Sequence, residues 1–159
     1  MAPDRTIRLL LDVLDHAFDR RAWHGTTLAG SIRGVAIDEA LWRPAPARHN
    51  IWELTLHTAY WKYAVRRRLT GDKRGRFPRP GSNWLPLPDP SDAAAWSRDV
   101  RLLKDEHRRL METVARYPAA RLGRRLPRSR WTAQESIHGV AAHDLYHAGQ
   151  IQLLKRLMR

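Results

Sequence analysis

The chain has 159 residues, no cysteine and a formal charge of +13 at pH 7, carried by 29 lysines and arginines of which only four are lysine. Disulfides, thiolate metal ligands and a cysteine nucleophile are therefore excluded, and no apolar run reaches the ~18 residues that a membrane span needs. Asp12 and Asp15 sit inside the first apolar stretch, which is unlike a signal peptide, so the expectation is one cytoplasmic domain, residues 1–159, with no membrane partner and a core large enough to stand unaided.

Four helical segments are predicted. The first spans residues 5–21, where Ile7, Leu10, Leu11, Leu14, Ala17 and Phe18 follow a helical stripe. Short extra turns are expected around Leu28 and Ile32 and again from Ala36 to Trp42, the second stopped by Pro44 and Pro46. The second helix spans residues 50–69, with Asn50 as N-cap and Gly71 as its stop. Leu54, His57, Trp61 and Ala64 share one face of it. Residues 71–90 hold three glycines and five prolines and read as a long connector. The third helix spans residues 91–117 and closes before Pro118. The fourth spans residues 132–158, opened by the capping box Thr132-Ala-Gln-Glu135. No segment alternates with period two over strand length, so the predicted fold class is all-α, a four-helix bundle.

His143 and His147 are four apart in the fourth helix, which puts two imidazoles on one face, a spacing suited to two cis metal ligands. His57 supplies a third candidate. Three histidines without a fourth protein ligand leave an open coordination position, as catalytic metal sites do. Depth along the helices tests whether the three can meet. His57 lies seven residues into its helix, or ~10 Å, and His143 and His147 lie ~16 and ~22 Å into theirs at ~1.5 Å per residue. Antiparallel second and fourth helices bring all three to one level; parallel helices separate them by ~6 to ~12 Å. The antiparallel case is an up-down-down-up order with a crossover between the second and third helices. The connector, about 20 residues and ~60 Å when extended, is long enough to make it. The same order gathers Arg66, Arg67 and Arg68 with Arg116, Arg121, Arg124, Arg125, Arg128 and Arg130 at one basic end.

The segments Ile51-Trp-Glu-Leu-Thr-Leu-His57 and His143-Asp-Leu-Tyr-His147-Ala-Gly-Gln150-Ile, with the lead-in Leu41-Trp42-Arg-Pro-Ala-Pro, resemble the second-helix, last-helix and lead-in motifs of the DinB/YfiT-like superfamily of helical-bundle metalloproteins. The resemblance covers most of the chain. It implies a four-helix bundle in the order just inferred, a divalent metal on His57, His143 and His147, and a homodimer. It also implies, for some members, thiol-dependent transfer using bacillithiol or mycothiol.

Three neutral imidazoles leave an ion its full charge, which lowers the pKa of a bound water or thiol. Hydrolysis and thiol transfer of a small-molecule substrate are the expected chemistries. With no cysteine in the chain, a low-molecular-weight thiol has to come as cosubstrate. Imidazoles suit zinc, nickel, iron or copper. Glu53, one turn before His57, is the candidate to receive a ligand's second N–H, and Trp61, one turn after it, the candidate wall of the pocket. Asp144 is rotated ~100° from the His143 face and is a poorer partner. His107 reads as a core histidine, and His16, His24 and His49 as surface or loop. A pI near 11.3 supports a second reading, a non-catalytic module that binds metal or nucleic acid through its basic end. No helix-turn-helix, zinc-finger or basic-zipper spacing accompanies that charge.

Overall fold

The computed structural model describes residues 4–159 and is helical, with six α-helices and one 3₁₀ turn among those residues and no strand beyond two isolated bridge pairs. Among the described residues no helix is long and apolar enough to cross a membrane. The helices are α1 (Arg5–Phe18), α2 (Leu28–Ile32), α3 (Ile37–Leu41), α4 (Ile51–Thr70), α5 (Ala93–Ala115) and α6 (Ala133–Leu157).

Local chemistry sets the ends. Asn50 and Glu53 form a reciprocal capping box at α4: the Asn50 side chain accepts from the Glu53 N–H at 2.9 Å, and Glu53 accepts from the Asn50 N–H at 3.1 Å. Gly71 then stops the helix in the left-handed region at φ 72°, which glycine adopts without a Cβ penalty. Thr132 and Glu135 cap α6 in the same reciprocal way, and Asp92 caps α5 through the Ala95 N–H at 2.7 Å. The first helix ends three residues short of the expected Arg21. The Asp19 and Arg20 N–H groups both turn back to the Asp15 carbonyl at 3.0 Å, which closes its last turn early.

Apolar burial falls into two clusters. One joins α2, α3, the first half of α4, the connector residues Phe77 and Leu85, Trp96 and Leu103 of α5, and the end of α6. The other joins α1 with the ends of α4 and α5 and the first half of α6. Trp52 is fully buried in the first and donates its indole N–H to Asp99 at 2.8 Å. Truncating a core aromatic of this kind to alanine costs about 3–5 kcal/mol. Between the two clusters run buried polar residues: Lys62 on α4, His107 on α5, and Asp144 and His147 on α6.

The contacts between long helices have a definite order. Along α4 and α5 they ascend together, Trp52 with Asp99 and Lys62 with His107. Along α4 and α6 the packing runs oppositely: Leu54, Leu56 and Ala59 share a cluster with Ala148, Ile151 and Leu154 late in α6, whereas Val65 and Leu69 share one with Ala133, Ile137 and Val140 early in it. The turn after α5 is also tied down. The Leu126 N–H donates to the Trp131 carbonyl at 3.1 Å, and the Ser129 N–H donates to the Leu126 carbonyl at 3.1 Å.

Candidate metal centre

His57 is carried inward by the most buried face of α4, and His147 by the corresponding face of α6; they are 6 % and 4 % exposed. His143, one turn before His147, is half-buried. The His143 Nε2 lies 3.1 Å from the His57 Nε2 and 3.0 Å from the His147 Nε2, and the three ring nitrogens together could hold one metal ion.

What faces the outer nitrogens decides the state of the inner ones. The His57 Nδ1 is 3.0 Å from the Asn83 carbonyl. A carbonyl only accepts, so the proton belongs on Nδ1 and the Nε2 presents a lone pair. The His147 Nδ1 is 2.6 Å from the Gln150 Oε1 and donates to it, with the same consequence. His143 stands between these two lone pairs, and its own Nδ1 is buried with no hydrogen-bond partner. A proton on its Nε2 can serve one neighbour well and leaves the other without a donor; a proton on its Nδ1 leaves three lone pairs face to face. Either arrangement lacks positive charge at the point where the rings converge. Tetrahedral ligands at ~2.0–2.1 Å from zinc would stand ~3.3 Å apart, close to the spacing here, so the donor set fits such an ion. Burial also keeps the rings neutral. It pushes the His57 pKa down to about 4 and that of His143 to about 3, with the neighbouring histidines adding to both effects. The His147 pKa is lowered, again chiefly by burial.

The connector between α4 and α5 supplies the rest of the surroundings. Asn83 sits at φ 59°, a left-handed conformation that asparagine tolerates better than most residues. From there its carbonyl reaches His57 while its side-chain oxygen accepts the Trp61 indole N–H at 2.9 Å. Trp84 lies flat between two imidazoles, 3.9 Å from the His57 ring and 3.6 Å from the His49 ring. Buried Phe77 and Leu85 anchor the connector on either side of this contact.

Trp61 stands edge-on to the His57 and His143 rings, 6.4 Å from each. Glu53 does not meet the three histidines. Its carboxylate takes two bonds of 2.7 Å from Arg43, one from the Asn50 N–H and a contact with the His49 Nδ1. The reason is positional: the third residue of a helix is drawn back to the N-cap, away from the deeper turn that carries His57. The groups that receive the outer N–H of His57 and His147 are instead Asn83 and Gln150. Gln150 stands three residues after His147, a helical spacing that could have revealed it. Asn83 lies in an aperiodic loop where no spacing rule applies.

A profile of the DinB superfamily matches residues 8–151. The chain belongs to the DinB superfamily. Comparison with curated proteins and with solved structures gives no match. In this DinB-superfamily chain His57 and His143 line one end of a cavity of about 950 Å³, with Trp61, Val65 and Val140 also in its lining.

Proposed function

We propose that the chain is a divalent-metal-dependent enzyme, a hydrolase or thiol transferase, with its ion on His57, His143 and His147 and its small-molecule substrate in the adjoining cavity. Zinc, nickel and iron are the candidate metals. The observation that carries this reading is the convergence of ring nitrogens whose outer partners, Asn83 and Gln150, turn lone pairs toward one point. An ion bound there supplies Lewis acidity and lowers the pKa of a coordinated water or thiol. The chain's own residues do the remainder. Asn83 and Gln150 hold the Nδ1 protons and fix the ring orientations. Trp84 covers one face of His57 and limits water there. The neutral imidazoles leave the charge of the ion uncompensated.

The proposal includes the fold around the site, an up-down-down-up four-helix bundle of α1, α4, α5 and α6 with the crossover between α4 and α5. It is supported by the ascending α4–α5 contacts and by the opposed α4–α6 packing, early α4 with late α6 and late α4 with early α6.

The test is metal content after reconstitution with zinc, nickel or ferrous iron, followed by a screen of ester, amide and phosphoester hydrolysis and of thiol transfer, with and without chelator. About one ion per chain is expected, sharply reduced in His57→Ala, His143→Ala and His147→Ala. Unchanged stoichiometry in His57→Ala would overturn the three-histidine site.

A further inference from the structure

The cavity above the histidines has a second end, and it is basic. Arg68 on α4 and Arg128 and Arg130 on the turn before α6 line it. None of the three makes an ion pair among the described residues. Two of them are laid against aromatic faces. The Arg68 guanidinium stands 5.8 Å from the Trp61 ring centre and that of Arg130 stands 4.6 Å from the Trp131 ring centre. Such stacking orients a guanidinium without neutralising it, so its N–H groups stay available for a ligand. The one carboxylate in the lining, Glu135, is turned to the α6 cap, where it accepts from the Thr132 N–H and hydroxyl at 2.8 and 2.9 Å. It compensates only part of three positive charges.

The turn that carries Arg128, Arg130 and Trp131 is held by backbone bonds. Besides the Leu126–Trp131 and Ser129–Leu126 bonds, the Trp131 N–H donates to the Ser129 hydroxyl at 3.0 Å. Leu126 is buried beneath it. Between the arginines and the histidines the lining includes Trp61 and the buried Val65 and Val140, with His138 as its one further titratable group on α6. Along α6, His143 and Ser136 are seven residues apart, so the two ends of the lining are separated by ~10 Å.

We propose that this cavity binds a small amphipathic anion. Its carboxylate or phosphate head group pairs with Arg68, Arg128 and Arg130, its flat apolar body lies along Trp61 and Trp131, and its far end reaches the three histidines. This names the substrate class of the metal-dependent reading and rests on it for the reacting end alone. The basic end of the chain is on this view the mouth of the site, and the charge selects the ligand by complementarity.

The test uses three probes of one shape: 2-naphthoate, 2-naphthyl phosphate and the uncharged 2-naphthalenemethanol. Their binding is measured by calorimetry at fixed ionic strength on chelator-treated protein, so that no ion contributes to the anion affinity. Metal stoichiometry is measured on reconstituted protein from the same preparation. At least one acid is expected to bind about tenfold tighter than the alcohol, as charge-assisted hydrogen bonds would provide. Whichever acid binds tighter identifies the head group. Arg128→Gln with Arg130→Gln, both on the exposed turn, should remove about tenfold from the acid and leave the alcohol unchanged. Arg68→Gln should weaken the acid independently, Trp131→Ala should weaken all three probes, and the remote Arg98→Gln should change none. Equal binding of acid and alcohol, no binding of any probe, or an equal loss in Arg98→Gln would overturn the proposal. Failure here with one ion still bound per chain leaves the metal centre standing; loss of the ion with anion binding intact has the opposite meaning.

Discussion

Two buried polar clusters lie one helical turn apart between α4 and α6, and they are built in opposite ways. In one, the Lys62 Nζ donates to the Asp144 Oδ2 and contacts the His107 Nδ1 at 3.3 Å, with both Lys62 and Asp144 fully buried. His107 stacks on Phe18 at 3.8 Å, and the ammonium lies 4.9 Å from that same ring. The chain supplies both charges. Burial works against each, raising the carboxyl pKa and lowering that of the ammonium, while their mutual attraction opposes both shifts. In the other cluster three neutral rings face one another, no acid is present, and a cavity opens beside them. His143 and Asp144 are adjacent, yet ~100° of helical rotation sends one into each cluster. The comparison shows how one pair of helices holds a layer in which the chain supplies both charges, with one carboxylate oxygen of Asp144 left without a partner, beside a cluster of rings that could hold a cation from outside.

Breaking the charged layer should have the largest effect. Lys62→Met leaves the Asp144 carboxylate buried without its partner and is expected to destabilise the fold by about 3–5 kcal/mol, read by urea denaturation. The double variant Lys62→Met with Asp144→Leu removes both charges and should regain most of that loss. If the single variant is as stable as the parent, the layer is not the buried ion pair described.

At the histidine cluster the expected pattern is reversed. His143→Ala should lower zinc affinity by more than about a hundredfold, beyond the ~10–100-fold typical of supporting residues. The urea midpoint of the metal-free protein should hardly move. Unfolding on loss of the ring would place the histidines in the core's stability instead.

Supporting contacts give smaller effects. Gln150→Ala should reduce zinc affinity by about 10–100-fold, because His147 loses the group that fixes its tautomer. Asn83→Ala should cost less, since its backbone carbonyl remains; it removes the Trp61 bond and puts alanine at a left-handed φ. A loss for Asn83→Ala greater than for Gln150→Ala, in parallel zinc titrations, would reverse this ranking.

Acidification tests the same cluster without any substitution. The folded pKa values of His57 and His143 lie at about 4 and about 3, below the ordinary histidine value of 6.5, so between these limits the unfolded chain binds more protons. Stability of the metal-free protein therefore rises with pH through this window and falls as the pH drops from 6.5 toward 3. Zinc affinity should fall over the same range through proton competition. A melting temperature that climbs on acidification from pH 6.5 to 4 would contradict the neutral, buried rings.

Much of this could be read along the chain. Helices are local objects, so spacing and capping chemistry located α4 and α6 within a residue at each end, with Asn50 and Thr132 as their caps. The i, i+4 pair His143 and His147 and the depth of His57 needed only helical rise and rotation. Glu53 shows the limit of that reasoning: a helix places a carboxylate on a face, but the Asn50 N–H at its own N-cap and Arg43 from the preceding segment decide what it bonds. The connector had length and composition but no period, so Asn83 and Trp84 carried no signal of their contact with His57. The pairing of Lys62 with Asp144, 82 residues apart, and the gathering of Arg68 with Arg128 and Arg130 over one cavity likewise depend on long-range packing. Local periodicity specifies which side of a helix a residue occupies; only the packed structure decides what stands opposite.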